Sequence, residues 1–73
     1  MKKISIIEKD NKVNLLFPKA NKFLFDNFWD ENSSLEELYL THFKAQLIQQ
    51  NNKYVEIIFP KDKDYTMFNL KFN

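Results

Sequence analysis

Apolar and polar residues alternate near both ends of the chain, which is the period expected of half-buried strands. Residues 3–8 and 12–17 are rich in Ile, Val and Leu, and the segment 9–11 between them tolerates the left-handed backbone of a tight turn. Residues 53–59 and 64–72 have a similar strand-like composition around a loop that contains a proline. The pattern therefore predicts two β-hairpins, one at each end.

Two helices are predicted between these hairpins. Pro18 suits the first position of a helix that extends to about Asp30, because the missing N–H group costs no intrahelical hydrogen bond there. Ser33 and Ser34 are each followed three residues later by a glutamate, the capping-box spacing, so a second helix is expected over residues 35–50. The apolar face of the first helix would consist of Leu24, Phe25, Phe28 and Trp29. That of the second would consist of Leu35, Tyr39, Leu40, Phe43 and Leu47.

The predicted order of elements is β-β-α-α-β-β. A four-stranded antiparallel sheet built from both hairpins, with the helices packed on one face, is the simplest arrangement that buries every apolar stripe. Residues 1–73 are thus expected to form one small α+β domain. A chain of this length buries only about 60% of its unfolded surface. Without any cysteine, its stability must come from aromatic and aliphatic packing or from a partner.

The composition is that of a folded protein. Hydrophobic residues make up 44% of the chain, a fraction too high for intrinsic disorder, and charged residues make up 29%. No apolar run approaches the roughly 18 residues that span a bilayer. The run Ile4–Ile7 is too short for the core of a signal peptide. We therefore expect a cytoplasmic protein that does not associate with membranes.

The charges divide the chain into an acidic middle and basic flanks. Five acidic residues and no lysine lie between Phe23 and Phe43, so this segment has a net charge of −5. The eleven lysines and the other five acidic residues give the flanks a net charge of +6. The central acids are Asp26, Asp30, Glu31, Glu36 and Glu37. The last two lie at the start of the predicted second helix, where the helix dipole already favours negative charge.

Catalytic and metal chemistry are disfavoured. His42 is the only histidine, and it has no carboxylate or second histidine at the i, i+4 spacing of a helical metal site. A nucleophilic site would need a serine or threonine beside this histidine together with an oxyanion hole. The chain has no glycine, so no glycine-rich loop can hold a phosphate. We expect no enzymatic activity, no catalytic residues, no bound metal and no cofactor.

Aromatic residues beside the acidic segment favour protein binding. Exposed aromatic side chains are enriched at interface hot spots, and an acidic surface is steered toward a basic one. We predict a small non-catalytic module, an inhibitor or modulator that occupies a basic surface on a larger protein. The predicted contact residues are Phe25, Asp26, Trp29, Asp30, Glu31, Glu36 and Glu37.

The origin of the chain adds an analogy to this prediction. The absence of Gly and Arg beside abundant Lys, Asn, Ile and Phe is typical of an A+T-rich coding sequence from a low-G+C bacterium or its viruses. Small viral inhibitors of host defence nucleases, anti-CRISPR proteins among them, often block a basic groove. By this functional analogy alone, the chain is predicted to be such an inhibitor, acting in the host cytoplasm.

Two other functions stay open. Eleven lysines and twelve aromatic residues could bind single-stranded nucleic acid through phosphate contacts and base stacking. However, lysines and acidic residues are interleaved, and the pI of about 7.9 is below the value above about 9 that is expected of a basic binding domain. This hypothesis requires lysine and aromatic side chains on one sheet face. The other alternative is a self-associating structural protein, a homodimer that pairs through an open sheet edge or unburied aromatic residues.

Overall fold

The computed structural model describes residues 1–73 and contains three helices and a three-stranded antiparallel sheet. In chain order the elements are strand β1 (Lys2–Ser5), helix α1 (Leu16–Asn27), helix α2 (Leu35–Phe43), strand β2 (Gln46–Gln50), strand β3 (Lys53–Phe59) and helix α3 (Asp62–Phe72). The strand order is β1-β3-β2, so β3 is central. A small α+β domain was the correct class, but the predicted four-stranded sheet and the β-β-α-α-β-β order are wrong.

A strand, a turn and a helix replace the first predicted hairpin. The turn at 9–11 is present as one turn of 3₁₀ helix, but the segment after it forms only a single bridge, between Ile7 and Val13. The side chain of Asn14 then accepts a hydrogen bond from the backbone N–H of Leu16 at 3.0 Å. This local hydrogen bond favours a turn over an extended chain, and α1 begins at Leu16, inside the segment predicted to be a strand.

The predicted long second helix is divided into α2 and β2. Lys44 adopts the left-handed conformation (φ 54°) and ends α2. Asn51 and Asn52 also have positive φ angles (51° and 65°), and Gln50 pairs with Lys53 across them. They therefore form the two-residue turn of the β2–β3 hairpin and not the end of a helix. Pairing with β3 overrides the helical propensity of the glutamine-rich segment.

Helix α3 replaces the predicted fourth strand. Phe68 and Phe72 are buried and Tyr65 is half-buried, a spacing of i, i+3 and i+7 that belongs to a helix. Leu70, which strand alternation would place on the same face, is 77% exposed. Residues four apart share a face in a strand and in a helix, so the alternation was ambiguous.

The helices and one face of the sheet form a single core. Helix α3 contacts β1 and β3, helix α2 contacts β2, and α1 packs against α3. The core consists of Ile4, Ile6, Ala20, Leu24, Leu38, Tyr39, Phe43, Ala45, Ile57, Phe59, Phe68 and Phe72. Tyr39 is fully buried, its hydroxyl donates to Asn21 Oδ1 at 2.7 Å, and burial raises its pKa. The hydrogen bond satisfies the one polar group at the centre of an aromatic cluster.

The other face of the sheet carries exposed or half-buried side chains and no aromatic residue. Its rows, read from the strand register, are Lys3, Ile58 and Gln46, then Ser5, Glu56 and Ile48. Tyr54 and Phe59, the two aromatic residues of the strands, lie on the helical side. The Tyr54 ring lies 6.1 Å from that of Phe17, and Phe59 is buried. This face therefore lacks the aromatic platform on which the nucleic-acid hypothesis depends.

We expect Lys44→Gly to raise the free energy of unfolding by about 0.5–1 kcal/mol, because glycine lacks the Cβ that disfavours a left-handed helix end. The other residues at positive φ are of types that tolerate it: Asp10, Asn11, Asn51 and Asn52. Urea denaturation would measure the change. The matched control is Lys19→Gly within α1, expected to lower stability by about 1 kcal/mol. A loss of stability in both variants would contradict the left-handed end of α2.

Candidate protein-binding surface

An exposed aromatic pair lies at the C-terminal end of α1. Phe25, in the last turn of the helix, and Trp29, just after it, each keep 47% of their surface exposed. Their rings meet edge to face, with centroids 4.9 Å apart. This geometry favours aromatic pairs and holds both side chains in place at the surface. Side chains that are already ordered lose less conformational entropy when a partner binds.

The burial pattern of α1 explains why these rings are exposed. Ala20 and Leu24, four residues apart, are fully buried, so the helix turns the stripe that contains them toward the core. Of the face predicted to be apolar, only Leu24 is buried, whereas Phe25, Phe28 and Trp29 are exposed. The predicted apolar face was therefore wrong, and the three exposed aromatic side chains contribute to the protein surface.

Three predicted acidic residues lie near the aromatic pair in the chain, and their roles differ. Asp26 forms an ion pair with Lys22, with Oδ2 2.9 Å from Nζ, and this hydrogen bond raises the pKa of Lys22. Asp30 accepts a hydrogen bond from the backbone N–H of Asn32 at 2.8 Å and so helps to fold the connection between α1 and α2. Glu31 is exposed and forms no ion pair. Neither Asp30 nor Glu31 therefore forms an ion pair within the protein.

The two glutamates of α2 contribute differently to the acidic surface. The Ser34 hydroxyl oxygen accepts the Glu37 N–H at 3.2 Å, so Ser34 is the N-cap, one of the two predicted. Glu36 accepts a hydrogen bond from the hydroxyl of Tyr54, which raises the pKa of Tyr54 to about 12. Glu37 lines a shallow polar concavity together with Asp30. The structure therefore brings Glu37 close to the surface formed by the connection, whereas Glu36 is engaged by the hairpin.

A cavity of about 330 Å³ has Phe28, the residue that precedes Trp29 in the chain, in its wall. All three helical regions contribute to its wall: Phe23, Phe28, His42, Phe43, Lys44, Asp64, Met67, Phe68 and Lys71. The His42 ring stacks on Phe28 with centroids 3.9 Å apart and planes 21° from parallel. Nothing in the sequence pattern predicted this cavity, because its wall comes from three segments whose contact depends on the tertiary fold.

Other kinds of site have little support in the geometry. No three side chains of the types that ligate metals converge anywhere in the described chain. None of the three helices has the length and apolar character required to cross a lipid bilayer. A function can therefore be argued from three features: the exposed aromatic pair, the acidic residues near it in the chain, and the cavity lined by Phe28.

These features could not be compared with those of a related protein. Comparison with protein-family models, with curated proteins and with solved structures found no match to this chain.

Proposed function

We propose that the protein is a non-catalytic binding module that inhibits or modulates a larger protein by occupying a basic surface on it. The exposed Phe25–Trp29 pair carries this proposal. Large aromatic side chains provide much of the binding energy at protein interfaces, above all when they are held in place before binding. Asp30 and Glu31, which follow Trp29 in the chain, add the negative charge that selects a basic partner and speeds association.

Arginine residues on the partner would fit this surface in two ways. A guanidinium group stacks on aromatic rings such as that of Trp29, and it forms paired hydrogen bonds with carboxylates such as that of Glu31. A groove that binds nucleic acid carries such residues, because it must neutralise phosphates. Inhibition of a nucleic-acid-processing enzyme in the cytoplasm, such as a defence nuclease, is therefore the specific form of the proposal.

Of the other two functions, self-association is the second candidate. Strand β2 is an edge strand, and residues 45–52 carry no charge that would oppose pairing with a second copy. The absence of aromatic residues from the open sheet face does not favour single-stranded nucleic-acid binding. Sedimentation of the purified protein at micromolar concentration, if it gave only monomer, would argue against the self-association candidate.

Differential capture from cells of the source organism tests the proposal. The baits are the tagged wild-type protein, a Phe25→Ser/Trp29→Ser double variant, and Leu70→Ser as a control for loss of an exposed apolar side chain elsewhere. We expect a partner that the wild type and Leu70→Ser retain and the double variant loses. Binding of the purified partner should weaken as the salt concentration rises from about 0.05 M to about 0.5 M, because salt screens exposed charges.

Two results would overturn the proposal. The first is a partner that the double variant retains as well as the wild type does. The second is capture of material that disappears after nuclease treatment, with no protein left on the bait, since this result would assign the surface to nucleic acid.

A further inference from the structure

We propose that the cavity beside Phe28 is the anchor pocket of this binding surface and takes an indole or phenol ring from a tryptophan or tyrosine of the partner. This inference rests on the proposed function and names the side chain that the partner must supply. Four features of the cavity restrict which partner side chain can enter it. They are its size, its aromatic wall, its two lysines and a carboxylate oxygen without a hydrogen-bond partner.

The size and wall of the cavity suit one ring system. Its volume of about 330 Å³ lies at the lower end of the range for ligand sites, so it admits a side chain but not a chain segment. Phe23, Phe28, Phe43 and Phe68 supply aromatic surfaces. An inserted ring would meet them edge to face or offset, the geometries that aromatic pairs favour.

The lysines of the cavity favour a neutral ring over a cationic side chain. Lys71 Nζ already lies 3.9 Å from the centroid of the Phe23 ring, in the position of a cation–π contact. Lys44 lines the same cavity. Two ammonium groups would repel an inserted lysine or arginine, but they are attracted to the π-face of an aromatic ring. The arginines proposed for the partner therefore belong outside the cavity.

Asp64 adds the requirement for a hydrogen-bond donor. It lines the cavity in the first turn of α3, and its Oδ2 atom is buried without a hydrogen-bond partner in the protein. Leucine or phenylalanine would leave this carboxylate without a donor, whereas an indole N–H or a phenol O–H supplies one. Met67 lies three residues further along α3, is 68% exposed and lines the same cavity. Its flexible side chain can move to let the donor reach the carboxylate.

The location of the cavity links it to the proposed interface. Phe28 forms part of its wall, remains 42% exposed and directly precedes Trp29. An anchor residue in a pocket, surrounded by contacts that exclude water, is the usual arrangement of an interface hot spot. The Phe25–Trp29 pair would supply those surrounding contacts.

Indole and 1-methylindole are the probes that test the pocket in the isolated protein. The two rings have similar shapes, but only indole has an N–H group. Titrations followed by NMR of the ¹⁵N-labelled protein should shift the signals of His42 and Met67, with 1-methylindole binding about tenfold more weakly because it cannot donate to Asp64. Asp64→Leu should abolish this preference, whereas Asp62→Leu, in the same helical turn but outside the cavity, should retain it.

The outcomes separate this inference from the proposed function. Equal binding of the two probes to the wild type, no binding of indole, or shifts that lie outside the cavity would overturn the pocket, even if Asp64→Leu fails to fold. Once a partner is captured, saturating indole should displace it at least in part. If capture of the partner requires Phe25 and Trp29 but saturating indole does not displace it, the cavity is not the anchor pocket, and the proposed function is unaffected. If indole binds in the cavity but the Phe25→Ser/Trp29→Ser variant retains the partner as well as the wild type does, the proposed function is refuted instead.

Discussion

Replacing Phe68 with alanine is expected to lower the free energy of unfolding by about 3–5 kcal/mol. Phe68 is 3% exposed, and its ring centroid lies 5.0 Å from that of Phe72, 5.1 Å from Phe43 and 5.2 Å from Phe59. Phe43 and Phe59 are held by α2 and β3, so the cavity left by the missing ring cannot close fully. A domain of this size has only a few kcal/mol of stability, and the variant should be largely unfolded at physiological temperature.

Urea denaturation followed by circular dichroism would measure this change, with Phe25→Ala as the matched control. The control removes the same side chain from an exposed position, so it should cost less than about 1 kcal/mol. If both variants lost the same stability, Phe25 would belong to the core. Its assignment to the binding surface would then fail together with the packing described for α3.

The position of Phe68 also shows why the last element was not predictable from its pattern. Thr66, Phe68, Leu70 and Phe72 alternate as strand residues do, while Tyr65, Phe68 and Phe72 follow the spacing of a helix. Tyr65 is half-buried whereas Thr66 and Leu70 are exposed, which distinguishes the helix from the strand, and burial is a tertiary property. Short segments whose apolar residues lie four apart satisfy both periods.

The hairpin between β2 and β3 was predictable in part. Asn51-Asn52 directly before a strand is a signal for a two-residue turn, because asparagine tolerates positive φ. The preceding glutamines favour a helix when considered alone, and the capping box at Ser34 supports a long helix from the same residues. Pairing with β3 decided the conformation, and no local propensity contains that information.

The candidate site divides in the same way between local and tertiary information. Placing aromatic residues near acids at the end of α1 required only the local pattern, and the structure leaves Phe25 and Trp29 exposed. The engagement of Glu36 by Tyr54 depends on the fold, as does the cavity beside Phe28. Local patterns could therefore place these aromatic residues next to the acids in the chain, but they assigned Phe25 and Trp29 to the apolar face of α1 and could not decide which side chains are exposed or lie together.

Trp29→Ala is expected to weaken binding of the captured partner by about 30-fold or more, equivalent to about 2 kcal/mol. Trp29 presents a large exposed ring, held by Phe25 and located after the end of α1, so its removal should leave the fold intact. Stability should change by less than about 1 kcal/mol. Isothermal titration calorimetry with the purified partner would measure the affinity, and urea denaturation would confirm that the variant remains folded.

Charge variants separate the aromatic contribution from the electrostatic one. Glu31→Gln should slow association and reduce the salt dependence, because Glu31 is exposed and unpaired, whereas Trp29→Ala should mainly speed dissociation. Glu36→Gln is the matched control, because it removes the same charge from a carboxylate that Tyr54 of β3 holds, whereas Glu31 lies in the connection directly after Trp29. Surface plasmon resonance resolves both rates. If Glu36→Gln slowed association as much as Glu31→Gln, the partner would be responding to the charge of the whole acidic segment, and the contact could not be assigned to the surface around Trp29.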